Sequence, residues 1–157
     1  MNFRERSVIF IATGCYSGFA PIAPGTFGSL TGLPICYLIS QIHFVFAVLF
    51  IVIFILCAIG IANGAEKLLN QNDPGCIVID EIAGLVVTLF YLPFNVFSVT
   101  TGFFIFRFFD IVKPFPIRLI EKRISGGAGV VLDDVLAGIY SNLVLRGLIF
   151  FIGQYEV

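Results

Sequence analysis

Across residues 33–62 the chain carries no Asp, Glu, Lys or Arg, and the apolar run is interrupted by Ser40-Gln41 and His43. A second run, residues 82–109, breaks at Leu92-Pro93-Phe94-Asn95 and holds Arg107 near its end. A third, residues 135–153, contains Arg146, and a shorter stretch over residues 8–16 leads into residues 17–29. As a helix, either long run extends about 40 Å at 1.5 Å per residue, enough to cross a hydrocarbon core of about 30 Å. Segments of this kind restrict the chain to packings in which every backbone polar group is satisfied internally. Helices meet that demand and open strands do not.

The remaining residues do not supply a water-facing coat. Of 157 residues, 59% are hydrophobic and 12% charged, against about 45–50% and about 25% in soluble domains. The excess apolar surface must face lipid or other protein. The expectation is therefore one all-α, multihelical membrane domain over residues 1–157, built of helical hairpins and short loops. The bilayer is its first partner, and a second copy of the chain is an admissible one. A net charge of −1 with no basic run argues against nucleic acid. Cys15, Cys36, Cys57 and Cys76 form no CxxC pair, so buried reduced thiols are expected rather than zinc ligands or disulfides. Arg4 and Arg6 precede an apolar stretch that enters a Gly/Pro segment instead of a small-residue cleavage site, so no cleavable signal peptide is expected.

Charge gathers where apolar runs begin or end. Asp80 and Glu81 precede the second run, Arg107, Asp110 and Lys113 close it, and Asp133 and Asp134 precede the third. Were the second run a single span, Asp80 and Asp110 would lie on opposite sides of the membrane. A hairpin turning at residues 93–95 brings both to one level, with legs of roughly 20 Å. The break at residues 40–43 permits the same turn in the first run. Hairpins are preferred because only they assemble the charges into one site.

Each acidic residue has an ordinary reading. Asp80 and Asp133 precede apolar helices, where a carboxylate caps N–H groups and complements the dipole. Asp80, Glu81, Asp110, Asp133 and Asp134 are nevertheless half of all acidic residues, and every one borders an apolar run. Ionisable groups at membrane level are costly and are paired or functional. Oxygen ligands without His or Cys favour Mg²⁺, Ca²⁺ or Mn²⁺. Arg107, Asp110 and Lys113, spaced i, i+3, i+6, form either an ion-pair ladder or a phosphate clamp on one helix face that ends before Pro114. Residues 20–29, with Gly25, Thr26 and Ser29, offer small residues, hydroxyls and backbone amides to an anion, or an ordinary turn. Gly126-Gly127-Ala128-Gly129 reads as a hinge before Asp133-Asp134.

Several phosphoryl chemistries are closed. His43 is the one histidine, so a mechanism needing two has no partner, and it reads as a turn or interfacial residue. Neither Cys15 nor Cys76 has an Arg six positions later, no Asp-x-Asp pair occurs, and residues 20–29 lack the Lys-Ser/Thr ending of a nucleotide-binding loop. Arg146 is expected to snorkel or to pair within the bundle.

Four blocks carry a resemblance. They are Pro-Ile-Ala-Pro-Gly-Thr-Phe-Gly-Ser-Leu at 21–30, Asp73-Pro74 with Ile-Val-Ile-Asp-Glu-Ile-Ala-Gly at 77–84, Phe-Arg-Phe-Phe-Asp-Ile-Val-Lys-Pro-Phe-Pro-Ile at 106–117, and Gly-Gly-Ala-Gly-Val-Val-Leu-Asp-Asp-Val-Leu-Ala-Gly at 126–138. In order and content they resemble the phosphatidylglycerophosphatase A family, over nearly the whole chain. The resemblance implies a bacterial inner-membrane enzyme that uses Mg²⁺ to convert phosphatidylglycerol phosphate, a phospholipid, to phosphatidylglycerol and phosphate. It implies catalytic roles for Asp80, Glu81, Arg107, Asp110, Lys113 and Asp134, and metal ligation by Asp80, Glu81, Asp110, Asp133 and Asp134. Phosphate contacts would come from Gly25, Thr26, Ser29, Arg107 and Lys113. Glu121 stands where relatives often have Asp, and is left outside the site.

Two other classes fit parts of the pattern. A CDP-alcohol phosphotransferase would need a longer Asp/Gly signature than the chain has. A small ion carrier or structural membrane subunit explains the hydrophobicity but not the recurrence of Gly/Pro segments beside acids. Lys113, Arg118, Lys122 and Arg123 cluster between Asp110 and Asp133, which places the site on the cytoplasmic side.

Overall fold

The computed structural model describes residues 2–153, apart from the side chain of Glu121. Among the described residues every regular element is a helix: α1 (Phe3–Ala12), a 3₁₀ turn (Ser17–Phe19), α2 (Pro24–Thr31), α3 (Leu33–Ser40), α4 (Phe44–Leu69), α5 (Ile79–Thr88), α6 (Val96–Val112), α7 (Ile117–Arg123) and α8 (Gly127–Ile152).

Two of them, α4 and α8, are 26 residues each and apolar enough to cross a membrane, about 39 Å at 1.5 Å per residue. The apolar layout of α4 is inverted relative to a soluble helix. Ala47, Ala58, Ala62 and Ala65 are buried, whereas Phe46, Leu49, Ile53 and Leu56 are exposed. Small residues let helix backbones approach, and large ones meet lipid, the arrangement of membrane bundles. Cys57 shares the outward face and Cys15 is also exposed; Cys36 is buried and Cys76 half-buried. All four thiols are free, so the reduced state expected from sequence holds, while burial holds fully only for Cys36.

The short helix α5 is the centre of the molecule. It packs on α2, α3, α4, α6 and above all α8, and Ile79, Asp80, Ile82, Ala83, Gly84, Leu85, Val86 and Thr88 are all buried. At its crossing with α8 the two backbones meet through glycines. A Cβ on Gly138 would strike the Gly84 carbonyl, and one on Gly84 would strike Phe106 and lie 2.8 Å from the Asp134 carbonyl oxygen. Asp80 and Asp134 each stand one helical turn before their glycine, so this close crossing fixes both carboxylates relative to one another.

Residues 89–95 turn the chain from α5 into α6. Asn95 caps α6, its Oδ1 accepting the Ser98 N–H at 2.8 Å, which is the turn role its sequence position suggests. The turn carbonyls are satisfied from α8: Asn142 donates to Thr88 and Phe90, and Arg146 donates to Phe90 and Tyr91 while also holding Asn142 Oδ1 at 2.7 Å. Arg146 thus pairs inside the bundle, as expected. The legs are unequal, however. With 10 residues α5 is about 15 Å long, and with 17 residues α6 is about 25 Å. The first long run also breaks as expected, with His43 capping α4 between α3 and α4.

Three boundaries differ from the sequence reading. The first apolar run stops at Ala62, yet α4 continues to Leu69. Asn63 Oδ1 accepts the Gly127 N–H at 2.7 Å, so its polarity is used across the α4–α8 contact. Residues 24–29 form the opening turns of α2 rather than a loop. The glycine cluster is not a hinge: Gly126, at φ 74°, caps α8, and Gly127 and Gly129 seat its first turn against α4 and the Ile124 carbonyl. Asp133 and Asp134 consequently lie inside α8 and cap nothing at its start.

One membrane-level expectation follows. Asp73 lines a cavity together with Ile124, Ser125 and Gly126, whereas Asn95 sits at the closed end of the hairpin. With Cys15 and Cys57 replaced by Ser, cysteines introduced at Asp73 and Lys122 should label from the same side of sealed vesicles. Labelling from opposite sides would dismantle the hairpin.

Candidate active site

The N-terminal turn of α5, the C-terminal turn of α6 and the second turn of α8 converge on one cavity of about 190 Å³. Its acidic walls are Asp73, Asp80, Glu81, Asp110, Asp133 and Asp134, and Lys113 joins them. The hairpin therefore does what charge placement demanded: it brings both ends of the second apolar run to one level.

Two cations already neutralise part of this cluster. Arg107 Nη1 bridges Glu81 Oε1 at 2.9 Å and Asp110 Oδ2 at 2.8 Å. Lys113 Nζ meets Asp133 Oδ2 at 2.6 Å. Lys113 is the C-cap of α6 at φ 45°, where its N–H closes on the Phe109 carbonyl. The chain then turns sharply into Pro114, which is why the helix face ends there. The ladder of Arg107, Asp110 and Lys113 is thus real, but its two cations also reach across to α5 and α8.

The carboxylates left over define the chemistry. Asp80 and Asp134 are 6% and 4% exposed. Asp80 Oδ1, Glu81 Oε2 and Asp134 Oδ2 are buried with no hydrogen-bond partner. A buried, unpartnered carboxylate oxygen costs several kcal/mol, roughly, unless a cation or proton meets it. Six carboxyl groups against two cations need a further cation, or protonation, to be tolerated in a partly buried space. An all-oxygen donor set with uncommitted lone pairs suits a hard divalent cation. Among the described residues, no three His, Cys, Asp or Glu side chains are yet drawn together closely enough to hold a metal ion.

The predicted phosphate contacts divide. Gly25 comes to the site from the other side of Glu81, since a Cβ there would collide with the Glu81 carboxylate. Any larger residue there would have to displace that carboxylate. Thr26 is half-buried in the first turn of α2, whereas Ser29 is fully buried and its hydroxyl donates to the Gly25 carbonyl at 2.7 Å. Neither residue lines the acidic cavity. The Ser29 bond lies within α2, one turn back along the same helix.

Sequence reasoning passed over Asp73 and Glu66. Asp73 lines the cavity, and its backbone N–H donates to Glu66 Oε1 at 2.9 Å. Glu66 is itself buried near the end of α4. The available signals were Asp73 beside Pro74 in a motif block, and an acid inside what proves to be the continuing helix.

Arg107 gives a direct test of geometry. One nitrogen, Nη1, serves both carboxylates, and the guanidinium has further N–H donors in a fixed plane, which lysine lacks. Arg107→Lys should lower kcat by about tenfold and Arg107→Ala by about 100-fold or more. Full activity in the lysine variant would reduce the role to simple charge.

Comparison with known proteins places these positions in a family. The model of the family described as phosphatidylglycerophosphatase A matches residues 10–149. The chain is 37% identical over 146 residues to phosphatidylglycerophosphatase A of Escherichia coli (strain K12), covering 92% of this chain and 83% of that protein. It is 35% identical over 137 residues to phosphatidylglycerophosphatase A of Haemophilus influenzae, covering 86% and 84%. A putative phosphatidylinositol-3-phosphatase of Bacteroides thetaiotaomicron is 38% identical over 145 residues, covering 87% and 90%. No solved structure matches the chain at a significant level. With the family's match running from α1 to the last turn of α8, and all three helices of the acidic cavity inside it, the chain belongs to the phosphatidylglycerophosphatase A family.

Proposed function

We propose that the protein hydrolyses the phosphate monoester of phosphatidylglycerol phosphate, releasing phosphatidylglycerol and inorganic phosphate for phospholipid synthesis. The observation that carries this reading is the set of buried, unpartnered oxygens on Asp80, Glu81 and Asp134 beside one cavity, in a chain of this family. Water attacks phosphorus, a cavity carboxylate takes its proton, and the bond from phosphorus to the lipid oxygen breaks, that oxygen taking up a proton to leave as the free hydroxyl of phosphatidylglycerol. Arg107 and Lys113 stabilise charge on the transferred phosphoryl group as that bond opens. Arg107 also holds the Glu81 carboxylate in place, through the bond from Nη1 to Oε1.

Mg²⁺ fits the donor set, with Asp80, Glu81, Asp110, Asp133 and Asp134 as the residues that would hold it. When bound it supplies charge neutralisation and a more acidic water. The basic residues from Lys113 to Arg123 support a bacterial inner-membrane location with the site at the cytoplasmic face.

The Bacteroides relative raises a second lipid, phosphatidylinositol 3-phosphate, whose monoester is also borne by a phospholipid headgroup. Two of the three relatives are named for the glycerol lipid, and the four motif blocks resemble the same family. Purified protein should show a higher kcat/KM for phosphatidylglycerol phosphate than for phosphatidylinositol 3-phosphate in the same micelles. The reverse preference would replace the proposed substrate with the inositol lipid.

A further inference from the structure

Beside the acidic cavity, between the end of α6 and α7, opens a second cleft of about 450 Å³ of opposite character. Its walls carry the cations Lys113, Arg118 and Lys122 among the apolar residues Val112, Phe115 and Leu119. Among the described residues, no carboxylate lines it. Arg118, Lys122, Phe115 and Leu119 are exposed, with Phe115 at 81%, while Ile117 is fully buried and anchors α7. Lys113 belongs to both walls: it lines the cleft and pairs with Asp133 on the cavity side.

A cleft that is cationic and apolar at once fits an anion attached to hydrocarbon. Arg and Lys hold phosphate oxygens, while Phe115, Leu119 and Val112 offer surface to acyl chains near the membrane interface. The substrate class of the proposed function has two phosphorus groups joined by its polyol: the terminal monoester and the phosphodiester next to the diacylglycerol. The neighbouring cavity is acidic and suits the monoester only through a cation. The basic cleft suits an anion directly.

We propose that Arg118 and Lys122 bind the phosphodiester of the same lipid whose monoester occupies the acidic cavity, with Lys113 as the shared wall. This rests on the lipid-phosphatase reading above. The consequence is specificity. Phosphate monoesters attached to a phospholipid are held at two points, and soluble monoesters such as glycerol 3-phosphate at one.

The test uses the full chain in uncharged detergent micelles, which removes attraction to an anionic bilayer surface. Short-chain phosphatidylglycerol has the phosphodiester but no monoester, so calorimetric titration measures the cleft without turnover. Its Kd should rise about tenfold or more in Arg118→Gln/Lys122→Gln, while diacylglycerol, lacking phosphate, binds both proteins equally. The ratio of kcat/KM for phosphatidylglycerol phosphate to that for glycerol 3-phosphate should fall about tenfold. Arg118→Lys/Lys122→Arg keeps both charges and should restore most of the phosphatidylglycerol affinity.

Equal phosphatidylglycerol affinity in the wild-type and Gln proteins would overturn the cleft assignment, as would an unchanged ratio. Loss of affinity in a protein whose wild type releases no phosphate would leave the cleft standing and remove the phosphatase reading. Normal phosphate release with unchanged phosphatidylglycerol affinity would do the opposite.

Discussion

Asp80→Asn and Asp134→Asn should each cut phosphate release by about 100-fold or more while the protein still inserts and folds. Both side chains are almost wholly buried, and each has one oxygen without a hydrogen-bond partner. Asparagine preserves shape and removes charge, so it relieves the repulsion within the carboxylate cluster even as it weakens cation binding. The variants are therefore expected to unfold no more easily than wild type in detergent, and to need a higher Mg²⁺ concentration for whatever activity remains. Initial rates across a Mg²⁺ titration, with a thermal unfolding midpoint for each variant, separate these effects. Near-wild-type turnover in both would return the two acids to a purely structural role.

The second large effect concerns the crossing that places those acids. Gly138→Ala should destabilise the fold by about 1–3 kcal/mol, because the added Cβ meets the Gly84 carbonyl and backbone yields less readily than side chain. Gly147→Ala, in the same helix with nothing within 4 Å of its Cβ position, should be neutral or gain up to about 1 kcal/mol from helix propensity. Thermal unfolding in a fixed detergent compares the two. Activity should follow stability only at Gly138, since separating α5 from α8 also separates Asp80 from Asp134. Equal midpoints for both variants would mean that the backbones are not in close contact at Gly84 and Gly138.

The helical class, the hairpin at residues 93–95 and the gathering of acids were legible because each follows from a local rule. Apolar runs bounded by charge mark helices, and Pro93 with Asn95 marks a turn. Functional economy then selected the hairpin that joins Glu81 to Arg107. What escaped were features set by a partner across space. Asn63 is polar for the sake of Gly127 on α8, so α4 runs past the point where its sequence turns polar. Ser29 offers a hydroxyl in sequence, and only the fold shows that it is buried and donates to the Gly25 carbonyl. Asp133 and Asp134 precede an apolar run, yet the glycines before them pack closely enough to begin the helix earlier. Asp73 is visible as part of a motif, but only the fold brings it beside Asp80.

The most direct measurement is phosphate release by purified protein from phosphatidylglycerol phosphate in detergent micelles, with Mg²⁺, with EDTA, and with EDTA followed by excess Mg²⁺. The predicted result is steady release with Mg²⁺, loss of nearly all release with EDTA, and recovery on adding Mg²⁺ back, with Asp134→Asn about 100-fold or more below wild type when Mg²⁺ is present. Release that persists undiminished in EDTA would contradict the assignment of the buried carboxylates as ligands. No release under any of the three conditions would contradict the phosphatase itself.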